Sequence, residues 1–268
     1  MMQKAAMLCA LLAAALAAGC ANVPGTGATE PGNMSRPLSD QSPVGDAEAR
    51  ARTHVDLGMA YFELGRFDVA LDEARIAMDN VAGYAPAHHL TGLVYMMLGE
   101  AAAARGNFEQ ALRAAPGDPD FNNSYGWFLC TQGQERDGLA RLSSSARNPY
   151  YRYASRPLTN AGLCHMRLNE VEAAEQQFLR ALELDPQNAQ ALLQIAEIAY
   201  GRGDYEVARV RLVRLHQQMT PTAASVWLGL RTERRLGNRD AAASYESQLR
   251  GRFGDSPEFQ LLSQGKYE

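Results

Sequence analysis

From about residue 51 onward, apolar and small residues recur at helical spacing in blocks that repeat every 34 positions, from Ala51 to Ala85 and on to Pro119. Further blocks start at Ser155, Ala189 and Ala223, once an insertion of Tyr153 and Ala154 is allowed after the third. The twentieth position of each block is Ala70, Ala104, Gly138, Ala174, Ala208 and Ala242. The eighth is Gly58, Gly92, Gly126, Gly162 and Ala196, failing at Leu230. Small residues at two fixed places let a pair of helices cross below the usual spacing of about 8–10 Å, where a larger side chain would overpack. The fifteenth position is Gly65, Gly99, Gly133, Asn169, Gly203 and Gly237, the residue types that close a helix in the left-handed conformation. Pro116 and Pro186 end second helices, since proline lacks a donor and disfavours helix in the residue before it.

Each block is therefore predicted to be a helix, a turn and a second helix that cannot bury its apolar face alone and must stack on its neighbours. The pattern resembles the tetratricopeptide repeat, most closely in "ALELDPQNAQALLQIAEIAYGRGDYEVA", residues 181–208. The expected fold is all-α, a right-handed superhelix of about six helix-turn-helix repeats at about 51–84, 85–118, 119–152, 155–188, 189–222 and 223–256, with a C-terminal cap at 257–268. The third and sixth repeats match least well.

Ahead of the array, Lys4 and the apolar run from Ala5 to Ala18 read as a secretory signal over residues 1–19, too short to span a bilayer. The junction "LAAGC" resembles a bacterial lipobox, which implies lipidation of Cys20, and Ala21 in place of aspartate points to the outer membrane. Residues 20–46, rich in Gly, Pro, Ser and Thr, are expected to form a flexible tether to a repeat domain over 47–268. The chain carries 26 basic and 30 acidic residues; loss of Lys4 with the signal leaves 25 against 30, a net charge of −5. That balance disfavours a nucleic-acid partner, which needs a basic face.

No spacing resembles a zinc site, a phosphate loop or a nucleophile elbow, so neither an enzyme nor a cofactor, metal or small-molecule substrate is expected. Of five histidines, His54, His88 and His165 fall where the two helices of a repeat pack together and read as structural. Cys9 leaves with the signal. Cys130 and Cys164 lie on facing flanks of the first helices of repeats 3 and 4, which predicts a disulfide worth ~3–4 kcal/mol, with two inert buried thiols as the alternative.

In an array of this kind function lies on the concave surface. Positions 5 and 9 of each first helix are expected to face it: Val55 and Met59, His89 and Leu93, Asn123 and Trp127, Thr159 and Leu163, then Leu193 with Glu197 and Trp227 with Arg231. The first four pairs make an apolar floor with polar flecks, the mark of a partner-binding groove. The N-terminal tether folding over that floor is the competing expectation.

"NNSYGWFLC" at 122–130, "NPYY" at 148–151, "NAGLC" at 160–164 and the ending "WLGLRTERRLGNRDAAASYESQLRGRFGDSPE", with the lipobox and six repeats, are similar to the PilF/PilW pilotin family of type IV pilus biogenesis. The resemblance implies a lipid-anchored, periplasm-facing outer-membrane protein that binds the pilus secretin and promotes its localisation and oligomerisation. A lipoprotein of β-barrel outer-membrane protein assembly and a regulator of a cell-wall enzyme are the alternative roles.

Overall fold

A computed structural model of the chain describes residues 34–267; the signal, Cys20 and the first part of the tether lie outside them. Thirteen α-helices occur among the described residues: α1 (Gly45–Glu63), α2 (Phe67–Asn80), α3 (Ala85–Met97), α4 (Ala101–Ala114), α5 (Pro119–Thr131), α6 (Glu135–Ala146), α7 (Ser155–Arg167), α8 (Val171–Leu184), α9 (Ala189–Arg202), α10 (Tyr205–Gln218), α11 (Ala223–Arg235), α12 (Arg239–Arg252) and α13 (Pro257–Ser263). They form six antiparallel pairs and a cap, an all-α tetratricopeptide fold. Every first helix ends where the fifteenth position demands, with positive φ at Gly65, Gly99, Gly133, Asn169, Gly203 and Gly237.

Each second helix touches the first helix of the next repeat, while α1 also meets α3, α3 meets α5, α5 meets α7 and α9 meets α11. Closer approach on the first-helix side is what curvature requires, so the first helices line the concave face. The crossings bury Ala70, Ala104, Ala174 and Ala208 completely. At Gly162 an added methyl would fall 2.4 Å from the Phe178 ring, so the small residue is matched to a large one across the pair. In repeat 6 this device moves back one residue: Leu230 is core, and Gly229 takes the Tyr245 ring, 2.6 Å from where a Cβ would sit. The apparent failure of the pattern at Leu230 is thus a shift of the contact, and α11 is a regular helix with a Thr222–Ser225 capping box.

Polar pairs cross the first three repeats at one fixed place. His54 Nδ1 lies 2.6 Å from Glu73 Oε2, His88 Nδ1 3.1 Å from Asn107 Oδ1, and Arg141 Nη1 donates to Asn122 Oδ1 at 3.3 Å. Each joins the fourth position of a repeat to the twenty-third. His165 instead meets Glu170 Oε2 in its own turn, at 2.7 Å.

Cys130 and Cys164 are joined, S–S 2.01 Å with Cα atoms 5.6 Å apart, and both are fully buried with Leu142 and Ala161. Gly138, where the repeat ordinarily has alanine, makes room for this staple. A Cβ there would lie 2.5 Å from the Cys130 sulfur and 2.6 Å from the Gly126 carbonyl oxygen. Behind the staple a cavity of about 500 Å3 opens between α6, α7 and α8, lined by Leu139, Ala146, Pro157 and His165 among others.

The tether is corrected within the described residues. Residues 34–44 are docked, and α1 begins at Gly45, near the expected start of the repeat domain at 47. A 3-10 turn, Leu38–Asp40, sits on the concave side. Leu38 N–H donates to Asp118 Oδ2 at 2.7 Å, Asn148 Nδ2 donates to the Ser35 carbonyl at 2.9 Å, and Arg152 pairs with Asp40 at 2.8 Å. Pro37 is buried, Leu38 packs against the core of repeats 2 and 3, and the Arg52 guanidinium donates to the Ser39 and Gln41 carbonyls. The composition has no large core of its own, but its backbone groups find partners on the array.

Candidate functional site

The first helices of repeats 1 to 3, the docked strap and the loop before α7 enclose a concave cavity of about 560 Å3. Five of the eight residues expected to line the groove meet there: Val55, Met59, His89, Leu93 and Asn123. Phe121 adds to the apolar floor. The other three lie outside the cavity. Thr159 is buried, its hydroxyl donating to the Ser155 carbonyl and accepting from Asn188 Nδ2 at 2.9 Å. Leu163 packs against the core of repeats 4 and 5, and Trp127 packs against the disulfide cluster. Val55 itself is only 7% exposed, so it supports the floor more than it presents a surface.

The walls were not foreseen from repeat positions. Asp40 and Ser39 come from the strap, Asp118 and Asp120 from the start of α5, Arg152 and the inserted Tyr153 from the loop before α7, and Arg156 from the first turn of α7. The Tyr153 ring is flanked by the two guanidiniums, 5.0 Å from Arg152 and 4.4 Å from Arg156, and meets Tyr151 edge-on at 6.1 Å. Tyr151 donates to Asp120 Oδ1 at 2.7 Å, and Asn148 Oδ1 accepts from Tyr150 N–H at 2.9 Å. The "NPYY" stretch therefore anchors both the wall and the strap. Its signal in the sequence was the insertion.

Asp118 has two tasks. One oxygen caps α5, accepting from the amides of Asp120 at 2.9 Å and Phe121 at 3.1 Å, while the other holds Leu38. Burial pushes its carboxyl up to about 6, a rise the three amide bonds only partly offset. Burial also raises Asp120, against the hydrogen bond from Tyr151. His89 packs 4.7 Å from Phe121, pairs with Ser124 Oγ at 2.8 Å, and is pushed down to about 4 by burial, although one edge of the ring still reaches the cavity. Asn123 accepts from Asn160 Nδ2 at 2.9 Å, a bond between the "NNSYGWFLC" and "NAGLC" stretches that joins α5 to α7.

Among the described residues no group of three or more His, Cys, Asp or Glu side chains is placed to hold a metal, and no helix is long and apolar enough to cross a membrane. What the cavity offers is an apolar floor with charged walls.

Residues 55–119 and 159–224 match the tetratricopeptide repeat family, leaving out the irregular third repeat. Over 225 residues, 82% of this chain and 89% of its relative, the sequence is 28% identical to the type IV pilus assembly protein PilF of Pseudomonas aeruginosa. The solved structure of Pseudomonas aeruginosa PilF superposes with a TM-score of 0.74 at 26% identity, covering 82% of this chain and 99% of that one. PilW, described as a widely conserved type IV pilus biogenesis factor, superposes at 0.71 and 25% identity over 80% and 98%. Fold and repeat geometry define a tetratricopeptide-repeat protein. Within that class the chain is similar to PilF and PilW over about four fifths of its length.

Proposed function

We propose that this chain is an outer-membrane pilotin: anchored through lipid on Cys20, it binds the type IV pilus secretin and promotes its localisation and oligomerisation. The observation that carries the reading is the convergence of Met59, His89, Leu93, Asn123 and Phe121 on one concave cavity, in a chain similar to PilF and PilW. The names of the relatives, a pilus assembly protein and a pilus biogenesis factor, support the same assignment. The mechanism is passive. The floor captures an apolar stretch of a secretin segment, the polar walls pair with its backbone, and capture near the membrane raises the local concentration of subunits.

Leu93→Glu places a charge on the floor at a half-buried residue that lies beside, and not at, the Gly92–Phe108 crossing. It is expected to reduce secretin co-purification tenfold or more with the circular dichroism spectrum unchanged, while Cys20→Ser moves the protein from membrane to soluble fractions. Undiminished recovery of secretin with the Leu93 variant would remove the cavity from the interface, and membrane retention of the Cys20 variant would remove the anchor.

A further inference from the structure

Repeats 5 and 6 leave a second cavity on the first-helix face, about 370 Å3, lined by Tyr200, Arg231, Arg234, Arg235, Gly265 and Tyr267. Its lining contains no acidic side chain among the described residues, in a chain whose formal net charge is −4. Trp227 and Arg231 occupy the same two repeat positions as Val55 and Met59 in repeat 1 and His89 and Leu93 in repeat 2. The concave face thus changes from apolar to cationic along the array.

The guanidinium faces are already used. Arg231 lies over the Tyr200 ring at 4.7 Å and the Trp227 ring at 5.7 Å; Arg234 lies 3.7 Å over Tyr267, which is itself stacked on Trp227 at 5.8 Å. Stacking occupies the flat faces of an arginine and leaves its N–H edges for a planar acceptor. Arg231 Nε is buried and has no hydrogen-bond partner, a costly state that an incoming acceptor relieves. Glu197 on α9 interacts with the Arg231 charge but makes no hydrogen bond to it: its carboxylate accepts from Gln194 Nε2 at 2.8 Å, and it is not part of the cavity lining. Basic residues in the last turn of a helix are favoured by its dipole, which accounts for Arg234 and Arg235. It does not account for Arg231, one turn earlier, or for its unpaired Nε.

We infer that this cavity is a carboxylate-binding subsite, which takes an acidic side chain of the same polypeptide whose apolar stretch lies over repeats 1 to 3. The inference rests on the reading of the concave face as a polypeptide-binding surface. A small inorganic anion would fill little of the 370 Å3 and leave Tyr200 and Tyr267 uncovered, whereas a side chain carried on its backbone covers both rings and pairs with the guanidinium edges. Occupants of the two cavities then fix the direction in which a bound segment runs, apolar end toward repeat 1 and acidic end toward repeat 6.

The test uses a fluorescein-labelled octapeptide with blocked ends and a central Glu-Glu pair, its Gln-Gln counterpart, and the full chain. The acidic peptide is expected to bind at least tenfold more tightly by anisotropy. Arg231→Gln together with Arg234→Gln should erase the preference, and Arg231→Lys should restore it only in part, because an ammonium cannot offer the fork. Exposed Arg234→Gln alone should reduce the preference while Arg231 keeps its place over Tyr200 and Trp227. Equal binding of the two peptides overturns the subsite, as does displacement of the acidic peptide by an equal concentration of inorganic phosphate. Secretin co-purification separates this from the broader proposal: loss with Leu93→Glu but not with the arginine pair overturns the subsite alone, whereas loss with neither overturns the partner assignment while the peptide comparison still decides the subsite.

Discussion

Gly138 shows how much one missing methyl settles. In an exposed helix interior, replacing glycine by alanine stabilises by about 1 kcal/mol. Here the added Cβ meets the Cys130 sulfur at 2.5 Å and the Gly126 carbonyl oxygen at 2.6 Å, so the sign reverses. Gly138→Ala is expected to destabilise by ~1–3 kcal/mol in urea unfolding, the usual cost of overpacking; a stabilised variant would mean that α5 and α6 are not held this close. His89 makes a second prediction at this scale. Its folded value near 4 lies below the ordinary 6.5, so the neutral ring is favoured in the fold: the contribution is complete above about 6.5 and is lost as pH falls toward 4. Asp118 runs the other way, raised from 3.8 to about 6, with its contribution complete below 3.8 and lost as pH rises through 6. The two oppose each other in the intact protein. His89→Gln, which keeps a partner for Ser124, should therefore hold its urea midpoint better than the parent on going from pH 7 to pH 4.5. A parallel fall in both would show that His89 is solvated in the fold. Neither behaviour could be read from residue type, because both depend on what Phe121, Leu38 and the α5 amides bring to the side chain.

At the scale of helices and repeats, the period told most of the story, since one residue of special backbone and two of special size recur in every block. The left-handed residue after each first helix, Asn169 included, set the boundaries, and the small positions set the crossings. The groove was less legible for a definite reason. One helical phase was applied to all repeats, yet Tyr153 and its flanking arginines enter the wall after repeat 3, and Thr159 one repeat on is covered by Asn188. The polar crossing that pairs His54 with Glu73 and His88 with Asn107 was half visible: the histidines read as structural, but their partners 19 residues away vary in type. The disulfide spans the same break. Cys130→Ala with Cys164→Ala should cost ~3–4 kcal/mol in the chain-entropy account, and the loss should concentrate where the cavity of about 500 Å3 already thins the packing. Hydrogen exchange is expected to rise most in α6 and α7; a uniform rise along all helices would refute a local staple.

For the whole molecule, a repeat array is nearly one-dimensional, each unit leaning on its neighbours. The strap breaks that rule, joining Leu38 to Asp118 and Ser35 to Asn148 across 80 and 113 residues of sequence. It left little trace in the pattern because, beside Leu38 packing and the Asp40–Arg152 pair, it is held through its backbone N–H and carbonyl groups, which every residue has. Asp118→Ser keeps an oxygen to cap α5 and removes the second one, so the Leu38 amide should exchange faster while the α5 amides stay protected. Equal acceleration in both would show that the strap and the cap are one unit. The strap also determines where mechanical load enters. A pull applied ahead of Ser35 is met by Asn148 and Asp118, which flank the third helix pair, and by Arg52 of α1. Load is thereby shared between the first repeat and the third, and the floor built from Met59 and Leu93 lies between those two points.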